Sequence, residues 1–319
     1  KTEFELDQYI EYGAKVTRLK VLKEDKSAMG DEELPLLELK WQKGTKSHCQ
    51  TFDAVCVANG HYAKPAFSPV EGLDHFKGTI LHSIEYDDPS QFAGQTVLCI
   101  GGRASGSDLA REISQHAQKV YLSDTTCQAK EELENIVWVP KTERVTADGS
   151  IEFAGDAEGA KNVDTILFCT GYDYEFPFIT KDSNLELSFL PGERRVKPLY
   201  KQLWHARYPN LCFLGLPHSV VPFPLFELQS EAFVHSILNN NLPSLQERLS
   251  AAEQDAEATE RIQDTHFLGG AQWEYCQELA QLADNLTDDV ANYIATNKVL
   301  YDHAGSERKM IFPGGPDTY

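Results

Sequence analysis

The residues best placed to do chemistry lie where an apolar run meets a glycine turn. Thr96-Val97-Leu98-Cys99-Ile100 reads as a strand buried on both faces, and Gly101 and Gly102 end it. Ser105, Gly106, Ser107 and Asp108 then open a helix whose apolar positions Leu109, Ala110 and Ile113 share one face. Backbone N–H groups at such a helix start point outward, and the helix dipole favours an anion, so the turn can seat a phosphate. Its spelling departs from the dinucleotide fingerprint G-x-G-x-x-G. Gly101 and Gly106 hold the outer positions, Ala104 and Ser105 lie between them, and Arg103 stands where the middle glycine is expected. On the turn alone an ordinary strand–helix crossover is the competing reading. Arg103 is a candidate for pairing with a phosphate, or else a solvent-exposed turn residue.

The next strand, 119–123, ends at Ser123, and Asp124 follows. An acid placed about 20 residues past such a turn binds the ribose 2′-hydroxyl of NAD. Serine tolerates a 2′-phosphate and can hydrogen-bond it, so the residues lean to NADP at Ser123. Asp124 takes the acid's role if the strand ends one residue later.

Two further strand ends repeat one pattern of acid, apolar strand and glycine. Asp53 precedes an apolar run that ends in Asn59-Gly60-His61, and Asp164 precedes one that ends in Thr170-Gly171-Tyr172. A glycine there lets backbone approach a flavin or its pyrophosphate, or is simply a strand-end turn. The sequence offers no acid–base triad. The sequence holds neither G-x-S-x-G nor H-E-x-x-H, and its seven cysteines form no C-x-x-C pair. Scattered cysteines, mostly inside apolar runs, read as reduced core thiols of a cytoplasmic protein. With 41% hydrophobic and 24% charged residues the chain is of globular composition, and its net charge of −20 argues against nucleic acid or an anionic membrane as partner. No apolar run reaches the length of a membrane span.

These residues need elements to position them. Residues 14–22 and 36–41 read as strands joined by a hairpin loop at 23–33, with a turn at 43–45 and a buried strand at 52–58. Prolines and Gly72 mark a connector before 76–86. Residues 136–139 and 150–153 read as strands of one meander, with a tight turn at Asp148-Gly149. Residues 163–169 and 211–217 read as buried strands, 220–226 as a proline-containing connector and 227–238 as a helix. Ser244 and Glu247 spell a capping box for a helix over 244–265. The tail, 298–319, reads as loops with a short helix.

Taken together, these residues resemble the flavin-containing monooxygenase family. Phe76, Gly78, His82 and Tyr86 meet F-x-G-x-x-x-H-x-x-x-Y in full, immediately before the glycine-turn strand. Gly101-Gly102-Arg103-Ala104-Ser105-Gly106 is similar to the family's NADP-binding turn, and Phe168-Cys169-Thr170-Gly171-Tyr172 to its F-A-T-G-Y pattern. The resemblance implies an α/β flavoprotein with two Rossmann-like dinucleotide-binding domains. The partition it implies is 1–90 as part of the FAD domain, 91–172 as the NADP domain and 173–319 as the return to the FAD domain.

The implied function is an NADPH- and FAD-dependent monooxygenase that uses O2 to oxygenate soft nucleophiles, at nitrogen or sulfur, through a hydroperoxyflavin. NADP would lie on 101–106 with its 2′-phosphate near Ser123. Flavin contacts would come from Asn59, Gly60, His61 and the stretch carrying Pro217 and Pro222, and Thr170, Gly171 and Tyr172 would line the junction between domains. His82 is expected to set conformation. The cofactor carries the chemistry, so no residue of the chain is assigned as catalytic. The family's first flavin-binding strand, glycine turn and helix have no counterpart in the sequence, so the expectation is a fragment of a longer polypeptide that holds FAD poorly alone. The alternative is a truncated, non-catalytic dinucleotide-binding product, or a partial subunit needing a partner chain. A flavin disulfide reductase would need the C-x-x-C dithiol that is missing. The sequence leaves homo-oligomerisation open.

Overall fold

The computed structural model describes residues 4–22, 34–127, 131–155, 157–259 and 261–311. The chain divides into two compact units, Lys1–His61 with Tyr174–Lys298, and Tyr62–Asp173 with Val299–Tyr319. It begins in the first unit with an antiparallel meander, β1 (Ala14–Val21), β2 (Leu37–Lys43) and β3 (Lys46–Phe52). The third of these strands is not anticipated by the sequence reading, because Lys46-Ser47-His48-Cys49-Gln50-Thr51 lacks an apolar alternation and is mostly exposed. The expected hairpin loop at 23–33 lies outside the described residues. A short strand, β4 (Val55–Val57), then leads to Asn59 and Gly60.

The second unit carries β5 (Lys64–Pro65), β6 (Thr79–His82), β7 (Thr96–Ile100), α1 (Ala104–Ser114), β8 (Lys119–Ser123), β9 (Glu131–Leu133), β10 (Ile136–Val139), β11 (Thr142–Val145), β12 (Ile151–Phe153), β13 (Thr165–Phe168) and β14 (Tyr172–Asp173). Its main sheet has the order β6-β13-β7-β8-β10-β9, parallel except for the β10–β9 pair. Residues 136–139 therefore do not form a meander with 150–153: β10 runs parallel to β8, with Ile136 opposite Val120, while β12 pairs with β11. The all-apolar spelling Ile136-Val137-Trp138-Val139 suits a place inside a parallel sheet covered on both faces.

Alternate residues of β7 feed two cores. Val97 and Cys99 pack with Ala110 and Ile113 of α1, and Leu98 and Ile100 with Val145, Ile151 and Phe153. Each fully buried Val, Leu or Ile is worth about 1.5–3 kcal/mol relative to exposure. That burial fixes where β7 ends and where α1 begins.

Returning to the first unit, β15 (Leu199–Tyr200), β16 (Trp204–His205) and β17 (Leu211–Phe213) complete the four-stranded sheet β15-β16-β17-β4, in which β17 and β4 are parallel. Four longer helices follow, α2 (Pro222–Asn239), α3 (Leu245–Glu257), α4 (Gln272–Leu282) and α5 (Asp288–Ile311), the last assigned to the second unit from Val299 on. Residues 222–226 are not a connector but the first turn of α2. Pro222 stands at the position where a missing N–H costs no helical bond, and its fixed φ suits the helix. The tail is likewise helical through Ile311, and residues 312–319 lie outside the described residues. The capping box at Ser244 is present, with the Glu247 carboxylate accepting from the Ser244 N–H at 2.9 Å.

Candidate functional site

The glycine turn in the second unit is built by close backbone approach. Gly101 has φ +106°, and a Cβ on it would meet the Cys169 carbonyl oxygen at 2.7 Å. A Cβ on Gly106 would lie 1.6 Å from the Gly101 carbonyl oxygen, so only glycine lets α1 start this close to the turn. Arg103, exposed, is the residue before the first helical position and contributes no side-chain cap. The first N–H to close a helical bond is that of Ser107, which donates to the Arg103 carbonyl at 3.0 Å. The N–H groups of Ala104, Ser105 and Gly106 therefore head the helix with no intrahelical carbonyl to receive them. They lie at the carboxyl end of a parallel sheet, the edge at which open α/β sheets take ligands. This is a fit for a dinucleotide's pyrophosphate.

Two residues at the end of β8 divide the work differently from the sequence expectation. Ser123 is 2% exposed. Its hydroxyl donates to the Pro140 carbonyl at 3.1 Å and accepts from the Thr142 N–H and hydroxyl, both at 2.8 Å. It ties β8 to the chain leading into β11. Asp124, by contrast, turns toward the glycines: its Oδ2 accepts from the Gly102 N–H at 2.9 Å, and its Oδ1 accepts from the Thr126 N–H at 2.6 Å.

Thr170, Gly171 and Tyr172 lie beside His82 in the same unit. The Gly171 carbonyl accepts from the Ala66 N–H at 3.0 Å and from His82 Nε2 at 3.0 Å, and the Thr170 hydroxyl donates to the Ala66 carbonyl. His82 Nδ1 in turn accepts from the Ile84 N–H at 3.2 Å. Both ring nitrogens are thus engaged, and the ring is fully buried against Phe67 and Tyr172. The other motif residues are also structural. Phe76 is in the core, and a Cβ on Gly78 would meet the Asp164 carbonyl oxygen at 2.1 Å. Tyr86 donates to Glu112 of α1 at 2.7 Å and stacks on Phe92. Burial, then the Glu112 carboxylate, pushes the Tyr86 phenol well above its ordinary pKa.

In the first unit the structure draws Asn59, Gly60 and His61 toward the end of β17. Gly60 has φ +72°, and a Cβ there would meet nothing within 4 Å, so its backbone is open to a ligand. Asn59 Nδ2 donates to the Glu175 carbonyl at 3.2 Å. Tyr174 connects the two stretches: its ring meets His61 edge to face at 5.4 Å, and its hydroxyl donates to the Leu216 carbonyl at 2.7 Å. Burial lowers the pKa of the His61 imidazole, and a contact with the Gly215 backbone partly offsets this. Pro217 is buried just beyond, and Pro222 is exposed at the head of α2. The Gly215 N–H donates to Gln229 Oε1 at 2.9 Å, Gln229 Nε2 donates to Tyr275 Oη at 2.9 Å, and Tyr275 donates to the Lys201 carbonyl at 2.8 Å. Sequence reasoning missed Tyr174, Gln229 and Tyr275. Their pairing is not legible locally, because their partners lie 14 to 74 residues away.

Comparison with known proteins follows this geometry. The family profile described as FMO-like, flavin-binding monooxygenase-like, matches residues 1–129. Flavin-containing monooxygenase FMO GS-OX-like 2 of Arabidopsis thaliana is 36% identical over 77% of this chain and 52% of its own length. The GS-OX-like 4 protein of the same plant is 32% identical over 87% of this chain and 62% of its own. The chain thus spans between half and two thirds of the length of these relatives. Among solved structures, that of S-allyl-L-cysteine S-oxygenase from Allium sativum superposes on all of this chain and on 70% of its own, with a TM-score of 0.81 at 26% identity. The fold is the two-dinucleotide-binding flavoprotein fold of such monooxygenases, as the resemblance implied. Motif, fold and relatives agree in making the chain similar to flavin-containing monooxygenases.

Proposed function

We propose that this chain supplies the nicotinamide-dinucleotide seat and part of the flavin site of a monooxygenase that oxygenates small soft nucleophiles, at sulfur or nitrogen. The observation that carries the reading is the glycine turn, with three helix-leading N–H groups at the carboxyl end of a parallel sheet. The reductant is a reduced nicotinamide dinucleotide, and NADPH is the form the family resemblance implies. FAD, when bound, supplies the oxygen activation.

The chain's own part is to bind, orient and exclude water. Ala104, Ser105 and Gly106 hold the pyrophosphate through their N–H groups. Arg103 adds a positive charge at the rim. Gly60 lets backbone approach the flavin, Asn59 and His61 flank it, and Pro217 and Pro222 bound the facing stretch. His82 fixes the Gly171 carbonyl and so the path of 170–172, without moving a proton. The second unit is the nicotinamide part and the first the flavin part. The substrate class is supported by the S-oxygenase name of the Allium sativum neighbour. A reducing, cytoplasmic setting accords with seven free thiols, five of them buried.

The test is to purify the protein with FAD present and follow reduced coenzyme in air. A yellow protein whose coenzyme oxidation yields an oxygenated sulfide or amine is expected. Coenzyme binding with no flavin retained, even with FAD added to the full-length polypeptide, would overturn the proposal.

A further inference from the structure

We infer that Asp124 sets the coenzyme preference of the glycine turn, favouring a dinucleotide with a free ribose 2′-hydroxyl over one with a 2′-phosphate. The inference rests on reading 101–106 as the nicotinamide-dinucleotide seat. A Cβ built on Gly102 would fall 2.6 Å from Asp124 Oδ2 and 2.8 Å from its Cγ, so the carboxylate lies directly against the second turn glycine. It is held there from both oxygens, Oδ2 by the Gly102 N–H and Oδ1 by the Thr126 N–H and hydroxyl. A carboxylate offers about four lone-pair sites. Among the described residues three are filled, and Oδ2 receives one donor only.

A ligand whose pyrophosphate lies on the head of α1 brings its adenosine ribose to the end of the following strand. There a 2′-hydroxyl donates to Asp124. A 2′-phosphate has only acceptors to offer and sets like charge against like.

Neither Ser123 nor Arg103, two described residues near this strand end, offsets the carboxylate for a 2′-phosphate. The hydroxyl of Ser123 is turned into the sheet with Pro140 and Thr142 as partners, so serving a phosphate would break buried bonds. Arg103 is exposed, where solvent and salt screen it, while Asp124 is 8% exposed and acts in a less polar surrounding. The buried, fixed carboxylate therefore outweighs the exposed guanidinium.

Calorimetric titration of the purified protein with NAD+ and with NADP+ tests this without turnover. We expect NAD+ to bind about tenfold more tightly or better, and Asp124→Asn to raise NADP+ affinity about tenfold while moving NAD+ less. Asn keeps the size and an acceptor for Gly102, and the wild-type preference alone decides the matter should the variant misfold. NADP+ binding more tightly than NAD+ to the wild type, or equal shifts for both in the variant, would overturn the inference and leave the dinucleotide seat standing. Binding of neither would overturn the seat and the inference together.

Discussion

His82 shows how a residue type associated with proton transfer is used up by structure. Its Nε2 donates to the Gly171 carbonyl and its Nδ1 accepts from the Ile84 N–H, which fixes the tautomer and leaves no lone pair for a substrate. His82→Ala should cost about 2–4 kcal/mol, from a lost buried ring and two unpaired backbone groups. A urea denaturation curve reads this directly. Unchanged stability with an altered pH–rate profile would instead mark a proton-transfer role.

Two other histidines carry a pH signature. Burial pulls both His205 and His266 down to about 3, and a nearby Arg207 or other positive groups add to it. His266 sits with Nε2 accepting from the Val196 N–H at 2.9 Å, which only the neutral ring with its proton on Nδ1 allows. The sign follows from linkage. The folded state keeps these rings neutral while the unfolded chain protonates them near 6.5, so their contribution is whole above about 6.5 and is lost as pH falls toward 3. Each ring should remove about 1.4 kcal/mol per pH unit across that window. Unfolding midpoints at pH 7 and pH 5 measure it, and His266→Gln should flatten the slope.

At the scale of elements, α1 and the strands around it are set by backbone contacts that tolerate no side chain. Gly106→Ala would drive a methyl into the Gly101 carbonyl and should cost about 3 kcal/mol or more, or unseat the start of α1 and abolish dinucleotide binding. Gly270→Ala is the control: open space surrounds it, and a change within about 0.5 kcal/mol is expected. Thermal melts of both variants, with coenzyme titration of the first, separate packing from binding.

Much of this element was legible in the sequence, because the apolar run at 96–100, the paired glycines and the amphipathic helix are local signals. Other elements were not. Residues 136–139 read as part of a meander because periodicity reveals burial but not partners, and only the fold places β10 beside β8. The start of α2 was hidden by Pro222 and Pro224, which read as breakers unless the first-turn exemption applies. Ser123 and Asp124 differ by one residue at a strand end, and that single step decides which side chain faces the glycines.

At the scale of the whole molecule, the family was legible from F-x-G-x-x-x-H-x-x-x-Y and the two glycine ends that follow it, although all four motif residues prove to be packing and tethering positions. That motif says nothing of the polar chain from Gly215 through Gln229 to Tyr275, which joins strand end, α2 and α4. Among the described residues no helix is long and apolar enough to cross a membrane. On the proposed function the chain is part of an oxygen-transferring enzyme whose protein groups bind and orient while FAD would do the redox work. That claim is tested most directly by supplying full-length protein with FAD, reduced coenzyme, a dialkyl sulfide and isotopically labelled O2. The account predicts a sulfoxide carrying one labelled oxygen, with coenzyme consumed in equal amount and the second oxygen released as water. Coenzyme oxidation with no sulfoxide formed, or a sulfoxide whose oxygen came from water, would contradict it.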